Sequence, residues 1–234
     1  MYYRRINVSG TLYIESMKLL DLFTGTGSVA RVARELGYEV TTLDINEMCN
    51  PTVCANVLDI DYAALWKPHE FDIVWASPPC ETFSCARKCN IGRVVKGEMM
   101  TAETLLRDTE CIGVPVLRRT QEIINYLQPR AWFIENPGTG LMKNYIAEKP
   151  AMFDYCRFGF DYRKRTAIWS NQPLENTLCD KTCLINGRHP KTAIGTSKVQ
   201  QGQGGGSDKS GRYAIPKDLV KMLIEIQKEN VNVS

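Results

Sequence analysis

Cys80 is the residue whose neighbours in the sequence most clearly indicate catalysis. It follows the apolar run Ile73–Ala76 and the turn residues Ser77-Pro78-Pro79. The apolar run predicts a buried strand, and two successive prolines fix an extended turn after it. Chemistry in open parallel α/β sheets sits at the carboxyl ends of the strands, so we interpret Cys80 as a nucleophile.

A carboxylate follows the next buried strand in the same way. The run 131–134 predicts a strand, and it ends in Glu135-Asn136 before the turn residues Pro137-Gly138. A glutamate that burial keeps partly protonated can donate a proton or a hydrogen bond to a reacting group. The alternative is that Glu135 only caps the adjoining turn.

A basic turn comes after these two sites. Residues 158–171 predict a hairpin of two strands around Arg163-Lys164-Arg165. Three adjacent cations usually form a solvated turn. Here they could instead bind phosphates or brace Glu135.

The elements upstream predict a nucleotide-like cofactor site. The apolar run Lys18–Phe23 leads into Thr24-Gly25-Thr26-Gly27, then a helix over 29–36 and a second strand over 38–43 that ends at Asp44. Glycines let the backbone approach a ligand, and the amides at a helix start attract anionic groups. The alternative is a plain strand–helix turn that binds no ligand. Residues 56–60 predict a third short strand, where Asp59 could bind an adenine amino group or lie solvated.

Further segments complete the expected organisation. A polar segment with several cations runs from Cys85 to Asp108 and predicts either a lid over a polyanion or a solvated loop with its own short helix. Residues 114–127 predict a helix that Gln128-Pro129 ends, and 151–156 predict another strand. Pro216 opens a final helix with an apolar face.

Composition indicates an ordinary globular chain of 234 residues with a formal net charge of +3 and 44% hydrophobic residues. The charge is compatible with an anionic partner without proving one. No apolar run is long enough for a transmembrane helix. Nine cysteines, an odd number, without an apolar leader predict a reducing, intracellular location (cytoplasm or nucleoid, or the host cell for a viral protein) rather than a disulfide framework.

A possible metal pattern lies in the polar segment 172–211. Cys179, Cys183 and His189 have zinc-like spacing, but no fourth ligand is obvious, although Cys156 could serve. We therefore assign no metal site from the sequence. Residues 200–208 are rich in glycine and glutamine, which predicts flexibility.

In this order, the glycine turn with its acids, the Pro-Cys turn, the Glu-Asn pair and the basic hairpin resemble the DNA (cytosine-5)-methyltransferase family. The stretches that carry the resemblance are Asp21-Leu-Phe-Thr-Gly-Thr-Gly27, Ser77-Pro-Pro-Cys80-Glu-Thr-Phe-Ser84, Glu135-Asn136 and Arg163-Lys-Arg165. The resemblance covers residues 18–171 well and 212–226 loosely. It implies a Rossmann-like, doubly wound α/β sheet.

The resemblance also implies roles for individual residues. Catalysis would involve Cys80, Glu135, Arg163 and Arg165. The S-adenosylmethionine cofactor would contact Asp21, Phe23, Thr24, Gly25, Gly27, Asp44, Ile45, Asp59, Ile60 and Pro79. DNA, with its target cytosine flipped out, would contact Ser84, Arg87, Lys88, Arg93 and Lys96.

Two sequence motifs depart from the family pattern. Asp161 stands where the family usually has Gln, and Arg212-Tyr-Ala-Ile-Pro216 lacks the usual Gly-Asn. The target-recognition region is also short, which predicts a short target site, relaxed specificity or a separate specificity partner. We divide the chain into an N-terminal extension (1–16), a catalytic domain (17–171), a reduced target-recognition segment (172–211) and a C-terminal helical region (212–234).

Three other functions remain open at this point. Relatives that methylate cytosine in tRNA share the same core motifs. A catalytically weak relative could act only as a DNA-binding partner. A thiol hydrolase would need a histidine near Cys80, and His69 lies at the opposite end of the predicted strand.

Overall fold

The centre of the protein is a seven-stranded sheet with helices on both sides. A computed structural model describes residues 2–6, 12–95, 97–185, 187–190 and 213–231. The strands are β1 Tyr2–Ile6, β2 Leu12–Ser16, β3 Lys18–Leu22, β4 Glu39–Asp44, β5 Val53–Cys54, β6 Ile73–Ala76, β7 Val94–Val95, β8 Glu98–Met99, β9 Ala131–Pro137, β10 Ala151–Asp154 and β11 Arg165–Ser170. The helices are α1 Ser28–Glu35, α2 Tyr62–Leu65, α3 Ala102–Asp108, α4 Val114–Leu127 and a C-terminal helix Lys217–Val231.

The sheet has the strand order β10-β11-β9-β6-β3-β4-β5. Strands β5, β4, β3, β6 and β9 run parallel, and β11 is antiparallel to both β9 and β10. The order reverses beside β3, which is where open α/β sheets bind ligands. The expected doubly wound, Rossmann-like sheet is confirmed.

Alternation along the central strands divides the core into two layers. Leu19 and Trp75 face the layer that contains α1 and the C-terminal helix, whereas Leu20 and Val74 face the layer that contains α4. All four side chains are fully buried. The middle of these strands is mostly apolar because a parallel sheet is covered on both faces.

The C-terminal helix packs against α1. The backbone N–H of Ile215, just before this helix, donates to Ser28 Oγ at 3.2 Å. Lys217 pairs with Glu35 at the other end of α1. This end of the chain therefore covers the helix that comes after the glycine turn.

Most expected elements are present, and two expected strands are wrong. Residues 57–59 form a turn instead of a strand, and the third parallel strand is the earlier pair Val53–Cys54. The hairpin partner of β11 is β10, and 158–162 contain the end of a 3₁₀ turn rather than a strand. Both errors arose because short apolar runs also occur in turns that pack against a core.

The polar segment 85–108 is structured. It contains a 3₁₀ helix at Cys85–Asn90, the β7–β8 hairpin and α3. A π-helical turn, Thr109–Gly113, joins α3 to α4. Within the part of the chain that the structure describes, no helix is long and apolar enough to cross a bilayer.

Candidate active site

The turn that carries Cys80 is held by hydrogen bonds from two neighbouring strands. Ser77 N–H donates to the Leu22 carbonyl at 3.2 Å, which continues the pairing of β6 with β3. Asn136 Nδ2 donates to the Pro78 carbonyl at 2.9 Å from the end of β9. Asn136 is buried, so the Glu-Asn pair, which lies within β9 rather than after it, supports the Pro-Pro-Cys turn directly. The prolines cannot donate hydrogen bonds, and the Pro78 carbonyl accepts one instead.

Cys80 is half-buried, and its environment decides when it ionises. Burial raises the pKa of its thiol, and the nearby carboxylate of Glu135 raises it further. The ammonium group of Lys164 acts in the opposite direction and lowers that pKa. The thiol is therefore the resting form, and a neighbouring cation favours the reactive thiolate.

Glu135 lies deep in the site, with 7% of its surface exposed. The hydroxyl of Thr166 donates to Glu135 Oε1, and the hydroxyl of Tyr155 donates to the same oxygen at 3.4 Å. Burial and the Glu135 charge raise the pKa of Tyr155 well above its usual value, so Tyr155 stays a neutral donor. These contacts occupy one carboxyl oxygen and fix the orientation of the group.

The basic hairpin places its three cations differently. Arg165 makes two hydrogen bonds to Asp154, from Nε to Oδ1 at 2.9 Å and from Nη2 to Oδ2 at 2.8 Å. Arg163 is exposed, and Lys164 lies over the Tyr155 ring at 4.8 Å from its centroid. Because side chains alternate along a strand, Lys164 and Thr166 lie on the Glu135 face of this hairpin, and Arg165 lies on the other face, against Asp154.

Lys164, Tyr155 and Thr166 are therefore site residues that sequence reasoning missed. The signal was present in the alternation of β11, where a buried Thr166 comes directly after the basic run. In a strand, side chains two residues apart share a face, so Lys164 lies on the same face as Thr166 and its two arginine neighbours do not.

The glycine turn after β3 is joined to the end of β4. The backbone N–H groups of Phe23 and Thr24 donate to the Leu43 carbonyl, and Gly25 N–H donates to Asp44 Oδ2 at 2.8 Å. Phe23 has φ of +66° and Gly27 has φ of +68°, so the chain turns sharply before α1. Phe23 adopts this unfavourable angle because the three hydrogen bonds hold it there.

Asp21 lies beneath this turn and is 2% exposed. Burial raises its pKa to about 7, although hydrogen bonds from the Thr24 hydroxyl and the Ala30 N–H lower it. The bond from Thr24 Oγ1 is 2.8 Å long. A carboxyl with such a raised pKa at a glycine turn marks a candidate functional position.

The remaining cofactor candidates lie around the carboxyl ends of the same strands. Ile45 is 69% exposed directly after β4, and Pro79 is exposed beside Cys80. Ile60 is buried, and Asp59 is exposed and accepts a hydrogen bond from Asn56 Nδ2 at 2.9 Å. The structure thus places the glycine turn, Asp44 and Cys80 at one edge of the sheet.

The candidate DNA-binding residues separate into two groups. Lys88 and Arg93 are exposed, whereas Arg87 is half-buried and pairs with Asp108. Ser84 uses its hydroxyl to cap the 3₁₀ helix by accepting from Ala86 N–H. Lys96 lies outside the described residues.

Gly113 holds this segment against the Cys80 turn. A Cβ atom at Gly113 would lie 2.2 Å from Thr82 Oγ1 and 3.0 Å from the Phe83 ring. Phe83 is fully buried, and its carbonyl accepts from Leu141 N–H at 2.8 Å. The chain therefore needs a glycine where the π-helical turn passes over the residues after Cys80, a requirement that spacing alone did not reveal.

Four metal-ligand side chains come together away from Cys80. Cys156, Cys179, Cys183 and His189 place their ligand atoms within 4.8 Å of one another. The three residues with zinc-like spacing thus acquire a fourth partner, and it is the cysteine that the sequence offered.

Comparisons with known proteins find methyltransferases among the relatives of this chain. No family model matches the chain. A protein of Frog virus 3 (isolate Goorha), named "Probable DNA (cytosine-5)-methyltransferase", is 38% identical over 220 residues, which cover 90% of this chain and 100% of that protein. The type II methyltransferase M.HpaII of Haemophilus parainfluenzae is 30% identical over 130 residues, covering 52% of this chain and 32% of that enzyme.

A solved structure also resembles the fold. The Entamoeba histolytica methyltransferase EhMeth superposes with a TM-score of 0.46 at 18% identity. The match covers 70% of this chain and 56% of that one.

Proposed function

The chain belongs to the DNA (cytosine-5)-methyltransferase family, and we propose that it transfers a methyl group from S-adenosylmethionine to carbon 5 of cytosine in DNA. The observation that carries this proposal is the environment of Cys80. Its thiol lies at the carboxyl edge of the sheet, where Glu135 and Lys164 both influence its pKa. A nucleophile, an acid and a cation around one point are what addition to a pyrimidine ring requires.

Cys80 acts first, as a thiolate that adds to carbon 6 of the base. Formation of this sulfur–carbon bond pushes electrons toward carbon 5, which makes a poor nucleophile reactive. Carbon 5 takes the methyl group, and S-adenosylhomocysteine leaves with the electrons of the broken sulfur–methyl bond. Carbon 5 then gives its proton to water, the double bond between carbons 5 and 6 re-forms, and the bond from carbon 6 to Cys80 breaks, which returns Cys80 to the thiolate. The ammonium group of Lys164 stabilises the Cys80 thiolate before the addition and again after its release.

Glu135 stabilises the charge that develops on the base. As sulfur adds to carbon 6, negative charge moves toward N3 and the exocyclic amino group. With a proton on its carboxyl group, Glu135 donates a hydrogen bond there and offsets that charge, and Thr166 and Tyr155 hold Glu135 in position. Because the hydroxyls of Thr166 and Tyr155 already hold Glu135 before the reaction, these groups need not move as the charge develops.

Arg165 and Arg163 act on the carbonyl side of the base. This assignment rests on the family pattern, with Arg163 in support. Arg165 binds Asp154 through Nε and Nη2. Its Nη1 group makes no bond to that carboxylate and can still donate to a ligand. Asp154 then serves to orient Arg165.

The residues at the glycine turn fit S-adenosylmethionine. Space at Gly27 is open, with no atom within 4 Å of a Cβ built there. Each oxygen of Asp44 accepts one backbone hydrogen bond and keeps a free lone pair for a ribose hydroxyl. Exposed Ile45 offers an apolar surface to the adenosine group.

The other family positions complete this pocket. Asp21, Phe23, Thr24 and Gly25 shape the turn, and Asp59, Ile60 and Pro79 border it. When bound, the cofactor supplies an electrophilic methyl group on a sulfonium.

DNA binds along the segment that comes after Cys80. A cytosine inside a duplex cannot reach Cys80, so the base flips out of the helix. Exposed Lys88 and Arg93 contact phosphates, and the ion pair of Arg87 with Asp108 fixes the segment that carries them. Ser84, at the start of the same segment, extends this surface, and Lys96 stays a candidate from the sequence alone.

Target choice depends on a small part of the chain. The segment 172–211 is short for a recognition domain, so we propose a short target site or a separate specificity partner. The protein acts where DNA and a reducing environment coexist, and the nine free thiols are compatible with this.

A methyl-transfer assay tests the proposed function. Labelled S-adenosylmethionine is offered with duplex DNA, single-stranded DNA and tRNA to the wild type and Cys80→Ser. We expect label on cytosine in DNA with the wild type and none with Cys80→Ser. Transfer to tRNA alone would contradict the DNA assignment, and undiminished transfer by Cys80→Ser would contradict the nucleophile.

A further inference from the structure

A cluster of three thiols and one imidazole lies beside the hairpin that carries Arg165, and it contains none of the residues assigned to methyl transfer. Cys156 comes from the 3₁₀ turn Tyr155–Phe158 after β10, and Cys179, Cys183 and His189 come from the segment after β11. Two parts of the chain that are more than twenty residues apart in sequence thus converge at one point.

The distances within this cluster match a tetrahedral metal site. Cys179 Sγ lies 3.4 Å from Cys183 Sγ and 3.4 Å from His189 Nε2, and Cys183 Sγ lies 3.3 Å from His189 Nε2. Around a tetrahedral zinc ion, usual bond lengths give about 3.8 Å between sulfurs and about 3.6 Å between sulfur and nitrogen. Small outward shifts of the side chains would accommodate the ion.

We propose that Cys156, Cys179, Cys183 and His189 bind one structural Zn²⁺ ion. Three thiolates and one imidazole are a soft ligand set that selects zinc over magnesium or calcium. Four protein ligands fill a tetrahedral shell and leave no open position, which is typical of a structural rather than a catalytic zinc.

The segment that carries three of the ligands needs such a constraint. Across 171–185 and 187–190, no residue is buried. Leu174 packs partly against the core, and Thr177 exchanges backbone hydrogen bonds with β10. A segment without its own apolar core gains order from a metal ion because binding couples to folding.

The zinc site is also linked to the catalytic hairpin. The backbone N–H of Cys179 donates to Asp154 Oδ2 at 2.9 Å, and the same carboxylate holds Arg165. By holding Cys179, zinc would fix the position of the Asp154 carboxylate, and Asp154 in turn orients Arg165.

This link assigns Asp154 as a positioning residue, and that step rests on the proposed function. Metal binding itself does not, because it is measured without any substrate. A failure of methyl transfer with zinc present would count against the proposed function alone.

Zinc content of the purified full-length chain tests the inference. After exhaustive dialysis against buffer treated to remove metals, we expect about one zinc per chain by elemental analysis. Cobalt exchanged into the site should give a thiolate-to-cobalt charge-transfer band and the intense visible bands of a tetrahedral ion. A wild type without stoichiometric zinc that also takes up no cobalt, or a disulfide between Cys179 and Cys183, would overturn the proposal.

Matched variants separate ligation from folding. Cys183→Ser and His189→Ala should lose most of the zinc, whereas His189→Cys should retain it as a four-cysteine site. Cys89→Ser and Cys111→Ser alter exposed thiols outside the cluster, and both variants should keep their full zinc content. Equal zinc content in Cys183→Ser and Cys111→Ser would place the metal elsewhere and overturn the assignment.

Discussion

The catalytic edge of the sheet and the segment after β11 are held in place by different means. Cys80 comes after β6 and Glu135 lies in β9, two strands that are largely buried on both faces, and Asn136 of β9 ties that strand to the turn before Cys80. The segment 172–190 has no buried residue among those described and depends on edge hydrogen bonds and a cluster of metal ligands. Packing positions the residues around Cys80, whereas we propose that a zinc ion holds the segment after β11.

The largest expected effect comes from the nucleophile itself. Cys80→Ser should lower methyl transfer by at least about a thousandfold, since a serine hydroxyl is a far weaker nucleophile without a base. Cofactor binding, measured by calorimetry, should change little because Cys80 does not shape the glycine turn. Cys111→Ser, an exposed cysteine, serves as the control and should keep near-wild-type rates.

Glu135 should show the next largest effect. Glu135→Gln removes the acid and keeps the shape, so kcat should fall by about 100-fold to 1,000-fold. Thr166→Val removes one hydroxyl that orients Glu135, and we expect about a tenfold loss. A larger loss in Thr166→Val than in Glu135→Gln, from single-turnover rates, would contradict a positioning role for Thr166.

Lys164 should control the pH dependence of the reaction. Its ammonium group lowers the pKa of Cys80, whereas burial and Glu135 raise it. Activity should rise with pH as Cys80 ionises, and in Lys164→Gln that rise should begin at higher pH. The loss should therefore be greatest at neutral pH and shrink in alkaline buffer. Arg163→Gln is the control, and an equal displacement of its profile would argue against the special position of Lys164.

Gly113 tests whether packing around the Cys80 turn is as tight as the distances indicate. Gly113→Ala places a methyl group against Thr82 and Phe83, so unfolding free energy should fall by about 1 to 3 kcal/mol. Thermal unfolding should detect this as roughly 2 to 4 °C for each kcal/mol. Cys111→Ala, exposed in the same turn, should leave the melting temperature nearly unchanged.

Metal removal should give the smallest effect on the core and the clearest contrast between the two regions. With a strong chelator, the main unfolding transition should change little because the sheet does not contact the ligands for most of its length. Limited proteolysis within 172–190 should accelerate at the same time. A collapse of the main transition would show that the two regions are not held independently.

The sequence predicted the sheet well because its strands are buried on both faces and end in recognisable turns. Glycines at 25 and 27, two prolines before Cys80 and the Glu-Asn pair each come after an apolar run, so their common edge could be inferred. Residues 56–60 were misassigned because a buried Val57 within a turn has the same local pattern as a short strand.

Contacts between distant segments could not be predicted in the same way. The register of the basic run depends on how β11 pairs with β9 and β10, which determines that Lys164 lies on the Glu135 face. Cys156 is separated from Cys179 by the whole of β11, so spacing could offer it only as a possibility. The requirement for glycine at 113 arises from the approach of Phe83, which no local pattern contains.

Covalent trapping tests the central claim most directly. The wild type is incubated with S-adenosylmethionine and duplex DNA in which 5-fluorocytosine replaces cytosine, and the product is analysed under denaturing conditions. Because fluorine cannot leave as a proton does, we predict a stable complex of DNA with a methylated base joined to Cys80, located by peptide mass spectrometry. The absence of any adduct across varied DNA sequences, or an adduct on a cysteine other than Cys80, would contradict the account.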